Sequence, residues 1–399
     1  MVSVNVKHCA VIAVAEPKGV GMSLLKSFLA GVRVLDLSRH LPGPLCTLYL
    51  SDLGAEVLKI EPPDGDEIRT LGPIDDNGRA VFYETINAGK QTRRMNLKDA
   101  AERNEFLELV RTADVLVESF RPGVLERLGV GYDTLRSLKP DLILCSLNGF
   151  GTGTVNETRA GHDNIYLALA GVLDRNGEHD GLPAFYEPPI ADCSAALTAV
   201  ISILGALRMR DRTGNGCRLE VPLSDAVMPL QMLQAAEMEA DNASPKSKTG
   251  LYTGGTAYYQ TYRTRDGRHV ALGAVEPKFW SKFCEAAGHP EWIARQHESR
   301  PQSTLIAELR ALFSTLSFDE AVARFEPIDC CFAPVLDLRE ALASDHFQSR
   351  GLAARSANGM LQILFPVRVN SEPPSPRPPV QELKPGALRQ SAHVEEQAS

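Results

Sequence analysis

Short apolar runs alternate with segments of helical spacing along the first part of the chain. The apolar run VRVLDLS (32–38) precedes a proline–glycine turn, the helical-pattern segment LCTLYLSDLGA (45–55) and a second apolar run, EVLKIEPP (56–63). Apolar residues that recur every three or four positions indicate a helix, and short β-branched runs indicate strands. The order strand, helix, strand is that of a β–α–β unit, in which the helix connects two parallel strands.

The same order recurs further along the chain. The helical pattern AERNEFLELVRTA (101–113) leads into the apolar run DVLVESF (114–120), and YDTLRSL (132–138) leads into LILCSLNGF (142–150). Alternating helices and apolar strands predict an α/β fold with a parallel sheet covered by helices on both faces. Ligands of such sheets bind at the carboxyl ends of the strands, so we expect a site in the loops that follow these runs.

The rest of the chain predicts different elements. An alanine-rich apolar segment (193–214) ends in basic residues and a glycine, as a buried helix does. Asp266-Gly267, between two β-rich runs, predicts a hairpin, and helical patterns run from Pro277 to about Ala343. The proline-rich stretch 371–379 predicts an extended segment.

Composition narrows the class of protein. Hydrophobic residues make up 44% of the 399 residues and charged residues 23%, which is typical of a soluble globular protein. The net charge of -8 argues against a surface for nucleic acid or for an anionic membrane, since either needs a basic face. A few well-placed arginines can still bind a phosphorylated ligand.

The cysteines and the N-terminus indicate the compartment. Eight cysteines are scattered without a CxxC pair, so no metal site is predicted, and such thiols fit a reducing compartment. The apolar run from Cys9 to Ala15 is interrupted by Glu16 and is too short to span a bilayer. We therefore predict a cytoplasmic protein that does not bind membranes.

Three acid–base residues stand beside predicted helices. His162 precedes an apolar helical segment, Asp192 lies between a proline turn and the long apolar helix, and Glu276 precedes Pro277. Each also has a purely structural interpretation, as a helix cap, a dipole-matching charge or a solvent-facing residue. Apolar neighbours that exclude water are expected to raise the pKa of Asp192.

The motifs of several common enzyme classes are missing. GFGTGT (149–154) lacks the third glycine of GxGxxG and the helix that should follow, so we interpret it as a turn. No GxxxxGK[ST], HExxH or GxSxG motif occurs, which leaves P-loop, zinc-protease and nucleophile-elbow chemistry without support.

The ordered set of motifs resembles one enzyme family. AGHDNIY (160–166), IAD (190–192) and YYQTY…DG…VALGAVEPKFW (258–280) match the pattern of α-methylacyl-CoA racemases. GVRVLDLSRHLPGP, DLGAEVLKIEPP, DVLVESFRPGVLERLG and LILCSLNGFG are shared by the wider superfamily of family III CoA-transferases. The resemblance extends from about residue 29 to beyond residue 360.

The resemblance implies a large Rossmann-like parallel-sheet domain, a smaller α+β domain and two chains that interlock as a homodimer. It implies an N-terminal extension that is poorly ordered (1–28), the large CoA-binding domain (29–220), a linker with the small domain (221–335), a return to the large domain (336–385) and a disordered tail (386–399).

The resemblance also implies roles for single residues. In the racemases the residues that match His162 and Asp192 form an acid–base pair, and the residue that matches Glu276 supports the histidine. We therefore predict that the protein racemises or epimerises 2-methylacyl-CoA thioesters, by exchange of the α-proton between two bases through an enolate. Backbone N–H groups of the helix that contains Asp192 are expected to bind the enolate oxygen.

Two other functions stay open. In the CoA-transferases the residue that matches Asp192 is a nucleophile, and tyrosine usually occupies the position of His162. Such an enzyme moves CoA between carboxylic acids through an aspartyl-CoA thioester. The third possibility is a non-catalytic homologue that binds acyl-CoA, because a fold alone does not guarantee activity.

Basic residues after the strands are the predicted ligands of the CoA phosphates. Arg121 and Arg127 lie in the turn SFRPGVLERLG, and Lys98 and Arg69 are further candidates. CoA enters as part of the substrate, so no separate cofactor is predicted.

Overall fold

The computed structural model describes residues 23–175, 177–179, 182–244 and 246–384. The strands are, in chain order, β1 (Arg33–Asp36), β2 (Glu56–Glu61), β3 (Gln91–Arg94), β4 (Val115–Glu118), β5 (Ile143–Ser146), β6 (Glu178–His179), β7 (Leu182–Pro183), β8 (Cys217–Glu220), β9 (Tyr259–Arg263), β10 (His269–Gly273), β11 (Phe332–Pro334), β12 (Ala353–Arg355), β13 (Leu361–Ile363) and β14 (Gln381–Glu382).

Helices connect most of these strands. They are α1 (Pro42–Asp52), α2 (Val81–Asn87), α3 (Ala100–Arg111), α4 (Val124–Arg127), α5 (Tyr132–Leu138), α6 (Asp163–Leu169), α7 (Ile190–Thr213), α8 (Leu223–Val227), α9 (Met232–Asp241), α10 (Pro277–Ala287), α11 (Ser303–Thr315), α12 (Phe318–Phe325), α13 (Leu338–Ala343) and α14 (Asp345–Arg350). Short 3₁₀ turns lie at Leu24–Ser27, Glu67–Arg69, Leu173–Arg175, Met228–Gln231, Leu251–Thr253 and Pro290–Arg295.

The chain divides into two compact units. The first contains the described residues up to Tyr166, Pro188–Val227 and the described residues from Leu342 onward. The second contains Leu167–Glu187 and Met228–Ala341. The predicted large domain (29–220) includes Leu167–Glu187, which the structure groups with the second unit instead.

A seven-stranded parallel sheet forms the centre of the first unit. Its strand order is β14-β3-β2-β1-β4-β5-β8, and every pairing is parallel. Leu116 of β4 packs with Phe106 and Val110 of α3, while its alternating neighbours Val115 and Val117 are also buried. Side chains of a strand alternate between the two faces, so both faces of β4 are covered. The predicted α/β fold with a Rossmann-like parallel sheet is confirmed.

The second unit is built on the antiparallel sheet β11-β10-β9. The predicted hairpin is present, and Gly267 takes a φ of +85° in its turn, a conformation that glycine adopts without steric cost. Trp280, Phe283 and Phe313 form a buried aromatic cluster between the helices and this sheet. The helices expected between Pro277 and Ala343 are present, but β11 interrupts them.

Helix α7 is long and apolar enough to cross a membrane, by length and composition. This is weak support for a membrane span, because the core helix of a water-soluble protein passes the same test. The helix packs on α1 and on β5 and β8 of the sheet. Its outer side leaves Leu197, Ile201 and Leu204 exposed.

The chain ends differ in part from the expectations. Most of the predicted N-terminal extension (1–28) and the predicted disordered tail (386–399) lie outside the described residues. Residues 23–28, which were predicted to belong to the poorly ordered extension, lie within the fold instead, because Leu25 is buried and the N–H of Lys26 donates to the carbonyl of Ser23. At the other end, β14 adds to the sheet beside β3.

Candidate active site

The first turn of α7 is capped by a carboxylate from another segment. Pro189, which precedes the helix, forms no side-chain cap. Instead Oδ1 of Asp163 accepts hydrogen bonds from the backbone N–H groups of Ala191 (2.7 Å) and Asp192 (3.2 Å). The first N–H groups of a helix have no partner within it, so a carboxylate at this place satisfies them and suits the helix dipole.

This cap corrects one expectation about the chemistry. We expected backbone N–H groups at the start of α7 to bind an enolate oxygen. Two of these groups already donate to Asp163, so they are not free to hold a developing oxyanion in this structure.

Burial changes the proton affinity of Asp192. Removal from water, and secondarily the nearby carboxylate of Asp163, raises the pKa of Asp192 from 3.8 to about 7. Burial likewise raises the pKa of Asp163, against the opposing effect of its two backbone hydrogen bonds. A carboxyl group with a pKa near 7 can both accept and donate a proton at neutral pH, which general acid–base catalysis requires.

The raised pKa predicts a measurable dependence of stability on pH. The folded protein retains the Asp192 proton up to about pH 7, whereas the unfolded chain releases it near pH 3.8. Between these values the folded state binds more protons, so stability falls as the pH rises through this window. The variant Asp192→Asn cannot ionise, and we expect its melting temperature to exceed that of the wild type more at pH 8 than at pH 4.

The matched control for this measurement is Asp133→Asn. Asp133 also lies in the first turn of a helix, α5, but its side chain is exposed. Calorimetry of both variants at pH 4 and pH 8 should show a growing difference from the wild type for Asp192→Asn only. A pH-independent difference for Asp192→Asn would contradict the raised pKa.

His162 stands directly before α6 and beside the cap of α7. Its carbonyl accepts hydrogen bonds from the N–H groups of Ile165 (2.8 Å) and Tyr166 (3.3 Å), while its imidazole is exposed. The next residue in the chain, Asp163, binds the N–H of Asp192. Asp163 therefore brings the backbone of His162 near that of Asp192, although the two residues are thirty positions apart, and we refer to the residues around this cap as one cluster.

Tyr166 is a buried residue next to this cluster. Its ring is buried against Phe150, and its hydroxyl donates to the carbonyl of Gly161 at 2.8 Å. A Cβ atom at Gly149 or at Gly161 would lie 2.8 Å from Tyr166, so only glycine allows this close approach. Burial and the charge of Asp192 raise the pKa of Tyr166 to about 12, and the charge of Arg121 opposes this shift.

A second histidine, which the sequence analysis missed, contacts His162. The rings of His40 and His162 meet edge to face with their centroids 6.2 Å apart, and Nε2 of His40 lies 3.2 Å from Oε2 of Glu67. His40 has a φ of +61°, a left-handed conformation that is uncommon for residues other than glycine and clusters at functional sites. The signal in the sequence was the histidine of RHLPGP, in the loop at the carboxyl end of β1.

The four predicted CoA ligands occupy different environments. Arg121 precedes α4 and Arg127 ends it, and both side chains are exposed. Arg121 is close enough to Tyr166 to affect its pKa, so it belongs to the cluster around Asp192. Lys98 is also exposed.

Arg69 already has internal partners. Its guanidinium donates to both carboxylate oxygens of buried Glu61 (2.7 and 3.2 Å) and to the hydroxyl of Tyr83 (2.6 Å), above whose ring it stacks. A guanidinium neutralised by a buried carboxylate attracts a phosphate less strongly, because the two anions compete for the same donors. Arg69 is therefore the weakest of the four phosphate-ligand predictions.

Glu276 lies in the second unit, at the N-cap of α10 and directly before Pro277. Its side chain forms no cap hydrogen bond and is exposed. The position before the helix agrees with the structural interpretation of Glu276 as a dipole-matching charge. Its predicted role as a partner of His162 stays a prediction.

No group of three or more histidine, cysteine, aspartate or glutamate side chains within the described ranges could hold a metal ion. In the first unit, the carboxyl group of Asp192, whose pKa is raised to about 7, lies beside the cap that Asp163 forms next to His162, and a perturbed pKa of this kind marks Asp192 as a candidate functional residue.

Comparisons with known proteins find similar chains of known family. Succinyl-CoA:mesaconate CoA-transferase of Haloarcula marismortui is 32% identical over 87% of this chain and 91% of its own length. α-Methylacyl-CoA racemase of Mus musculus is 31% identical over 81% of each chain. A crystal structure of a CaiB/BaiF family protein from Brucella suis matches with a TM-score of 0.80 and 29% identity, over 92% of this chain and 99% of that one.

The family itself follows from a match over most of the chain. Residues 29–381 match the family model described as CoA-transferase family III. This range includes six strands of the parallel sheet, the first residue of β14, and both His162 and Asp192. The family resemblance found in the motifs is thus confirmed, and the chain belongs to CoA-transferase family III.

Proposed function

We propose that this protein is an acyl-CoA racemase or epimerase that exchanges the α-proton of 2-methylacyl-CoA thioesters. The observation that carries the proposal is the carboxyl group of Asp192, whose pKa of about 7 suits proton transfer in both directions. A covalent nucleophile works as the ionised carboxylate, so a group that retains its proton up to neutral pH is better suited to acid–base chemistry. The neighbouring imidazole of His162 provides the second base.

The reaction uses the two groups in alternation. For one enantiomer, the imidazole of His162 accepts the α-proton, and the C–H electron pair moves into the thioester to form the enolate. The carboxylic acid of Asp192 then donates its proton to the opposite face of the α-carbon, which gives the other enantiomer. The reverse reaction exchanges the two roles, so no net proton is consumed.

Two further residues support the histidine in this proposal. His40 contacts the ring of His162 edge to face and is itself paired with Glu67, so it can hold the imidazole in one orientation. Glu276 is proposed to assist the imidazole only because the family resemblance implies it.

The test is an incubation with a 2-methylacyl-CoA in deuterated water. We expect loss of optical activity together with deuterium at the α-carbon, observed by NMR and mass spectrometry. A parallel tube contains a free carboxylic acid as CoA acceptor. Transfer of CoA to that acid without α-deuteration would overturn the racemase proposal.

The alternative is a CoA-transferase, which the names of several relatives favour. The succinyl-CoA:mesaconate and the acetyl-CoA:oxalate CoA-transferases are 32% and 33% identical to this chain. In that reaction the carboxylate of Asp192 attacks the thioester, which releases CoA thiolate and leaves a mixed anhydride. The thiolate attacks the aspartyl carbonyl and releases the first acid, and the resulting aspartyl-CoA thioester passes its CoA to the second acid. Binding of acyl-CoA with neither reaction would favour a non-catalytic homologue.

We expect Arg121 and Arg127 to bind the phosphates of CoA. Both lie after β4 at the carboxyl edge of the sheet, where ligands of such folds bind, and both side chains are exposed. Replacement of either by alanine should weaken CoA binding by about 1.5–3 kcal/mol, the usual range for a charge-assisted hydrogen bond. Titration calorimetry with CoA measures this, and Arg136→Ala, an exposed arginine of α5, is the control. Unchanged affinity in both variants would remove these arginines from the site.

We propose that two copies of this chain form an obligate homodimer. The family resemblance implies it, and the exposed apolar side chains of Leu197, Ile201 and Leu204 support it, because their spacing puts them on one side of α7 and a contiguous exposed apolar patch favours association. Sedimentation at nanomolar concentration should show a dimer that does not dissociate without unfolding. Ile201→Lys should weaken the dimer, whereas Leu71→Lys, at a similarly exposed position, should not. A folded wild-type monomer would contradict the proposal.

A further inference from the structure

A basic cleft lies in the second unit, and all of the residues that line it belong to that unit. Its volume is about 550 Å³, and it opens beside the edge strand β9 and helix α11. Its lining includes the side chains of Arg263, Arg265, His269 and Arg310. The hydroxyl-bearing residues Thr261 and Ser314 complete the polar lining. A cleft of this volume is within the range of small-molecule sites.

The fold brings these basic residues to one place from two strands and a helix. Arg263 and His269 are paired across the strands β9 and β10. Arg310 and Ser314 are four residues apart in α11, so they lie on one side of that helix. The stacked rings of Tyr262 and Phe313, 5.0 Å apart, hold α11 against β9. Because these two rings are buried, the strand and the helix that carry Arg263 and Arg310 are held side by side, and both arginines line the same cleft.

The charges of the cleft are only partly neutralised within the unit. Arg265 pairs with Glu320 at 3.1 Å, and Asp266 accepts hydrogen bonds from Thr264 and from the N–H of Phe318. In the described part of the chain, the side chains of Arg263 and Arg310 have neither a hydrogen bond nor an ion pair. Two unpaired guanidinium groups in one cleft repel each other, and an anion between them would remove this repulsion.

We infer that this cleft binds a small molecule that bears a diphosphate group. A single carboxylate matches one guanidinium fork, whereas a diphosphate presents several anionic oxygens to arginines from two elements, β9 and α11, and accepts from hydroxyl groups as well. The inference goes beyond the proposed racemase reaction and does not depend on it. The diphosphate could be that of a free nucleotide or that of CoA, and the experiment distinguishes these sources.

The experiment is titration calorimetry of the full-length protein with pyrophosphate at low ionic strength. We expect saturable binding that weakens about tenfold for each of Arg263→Gln and Arg310→Gln, since each removes one charge-assisted pair. Both arginines are exposed, so the variants should fold as the wild type does, which their melting temperatures check. The matched control is Arg339→Gln, an exposed arginine of α13 in the same unit but outside the cleft lining.

Competition in the Arg121→Ala background identifies the source of the diphosphate. Displacement of pyrophosphate by CoA would assign the cleft to CoA, and displacement by ADP but not by CoA would assign it to a nucleotide; both results support the diphosphate site. Absence of pyrophosphate binding by the wild type would overturn the inference. So would equal binding by the double variant Arg263→Gln/Arg310→Gln, or an equal loss in Arg339→Gln.

Discussion

The variant His162→Ala is expected to abolish racemisation of a 2-methylacyl-CoA while α-deuteration continues, at a reduced rate, from one enantiomer. Removal of the imidazole eliminates one of the two bases, so only the enantiomer whose α-proton faces Asp192 can still be deprotonated. The rate of exchange from the other enantiomer should fall by about 10²–10⁴-fold, the usual contribution of a positioned general base. Proton NMR of each pure enantiomer in deuterated water measures the two rates separately.

The variant Asp192→Asn should show the opposite bias. The amide cannot accept the α-proton, so exchange should persist from the enantiomer that faces His162. His40→Ala should slow exchange from the same enantiomer as His162→Ala does, but by a smaller factor, because His40 acts only through the ring that it contacts. A purely structural role of His40 would slow exchange from both enantiomers equally.

A transferase would respond to the same variants differently. There Asp192 carries the covalent intermediate, so Asp192→Asn would abolish CoA transfer, while His162→Ala would only slow it. Hydroxylamine added during turnover would trap the aspartyl thioester and label Asp192. Such a label, together with equal effects of His162→Ala on both enantiomers, would refute the two-base mechanism.

The parallel sheet could be predicted from the sequence where its strands are apolar. Strands β1, β2, β4 and β5 are buried runs between helical patterns, and all four lie in the middle of the sheet. A strand that is buried on both faces needs a continuous apolar run, so the sequence pattern predicts such strands directly.

The polar strands of the sheet could not be predicted from an apolar pattern. β3 has the sequence QTRR, and its Arg93 is buried only because it pairs with Glu105 of α3 at 2.7 Å. β8 and β14 form the two edges of the sheet, where one side of the strand lacks a neighbour. Their strand conformation depends on pairing with distant segments, which no local pattern reports.

The candidate site was predictable in its residues but not in its contacts. The motif order located His162 and Asp192, and the structure brings them together through Asp163. Asp163 is the first residue of α6, but its carboxylate caps α7, which begins 27 positions further along the chain. His40 stayed unnoticed because its contact with His162 joins residues 122 positions apart, which only the sheet topology produces.

The largest effect on stability is expected from the ion pair of Asp52 and Arg377. Nε and Nη2 of Arg377 each lie 2.6 Å from a carboxylate oxygen of Asp52, and both side chains are more than 90% buried. The pair joins the end of α1 to the proline-rich segment that leads to β14. Asp52→Ala leaves a buried guanidinium without its counter-charge, which should destabilise the protein by about 3–5 kcal/mol.

Urea denaturation of Asp52→Ala, Arg377→Met and the double variant measures this effect. The double variant should be more stable than Asp52→Ala alone, because removal of both charges leaves no unpaired ion in the interior. Glu108→Ala is the control, since it breaks the exposed pair of Glu108 and Arg111 and should cost at most about 1 kcal/mol. If Asp52→Ala costs no more than this control, the ion pair does not anchor the C-terminal segment. If it costs several kcal/mol and hydrogen exchange increases first in β14, the pairing of β14 with the sheet depends on this buried ion pair.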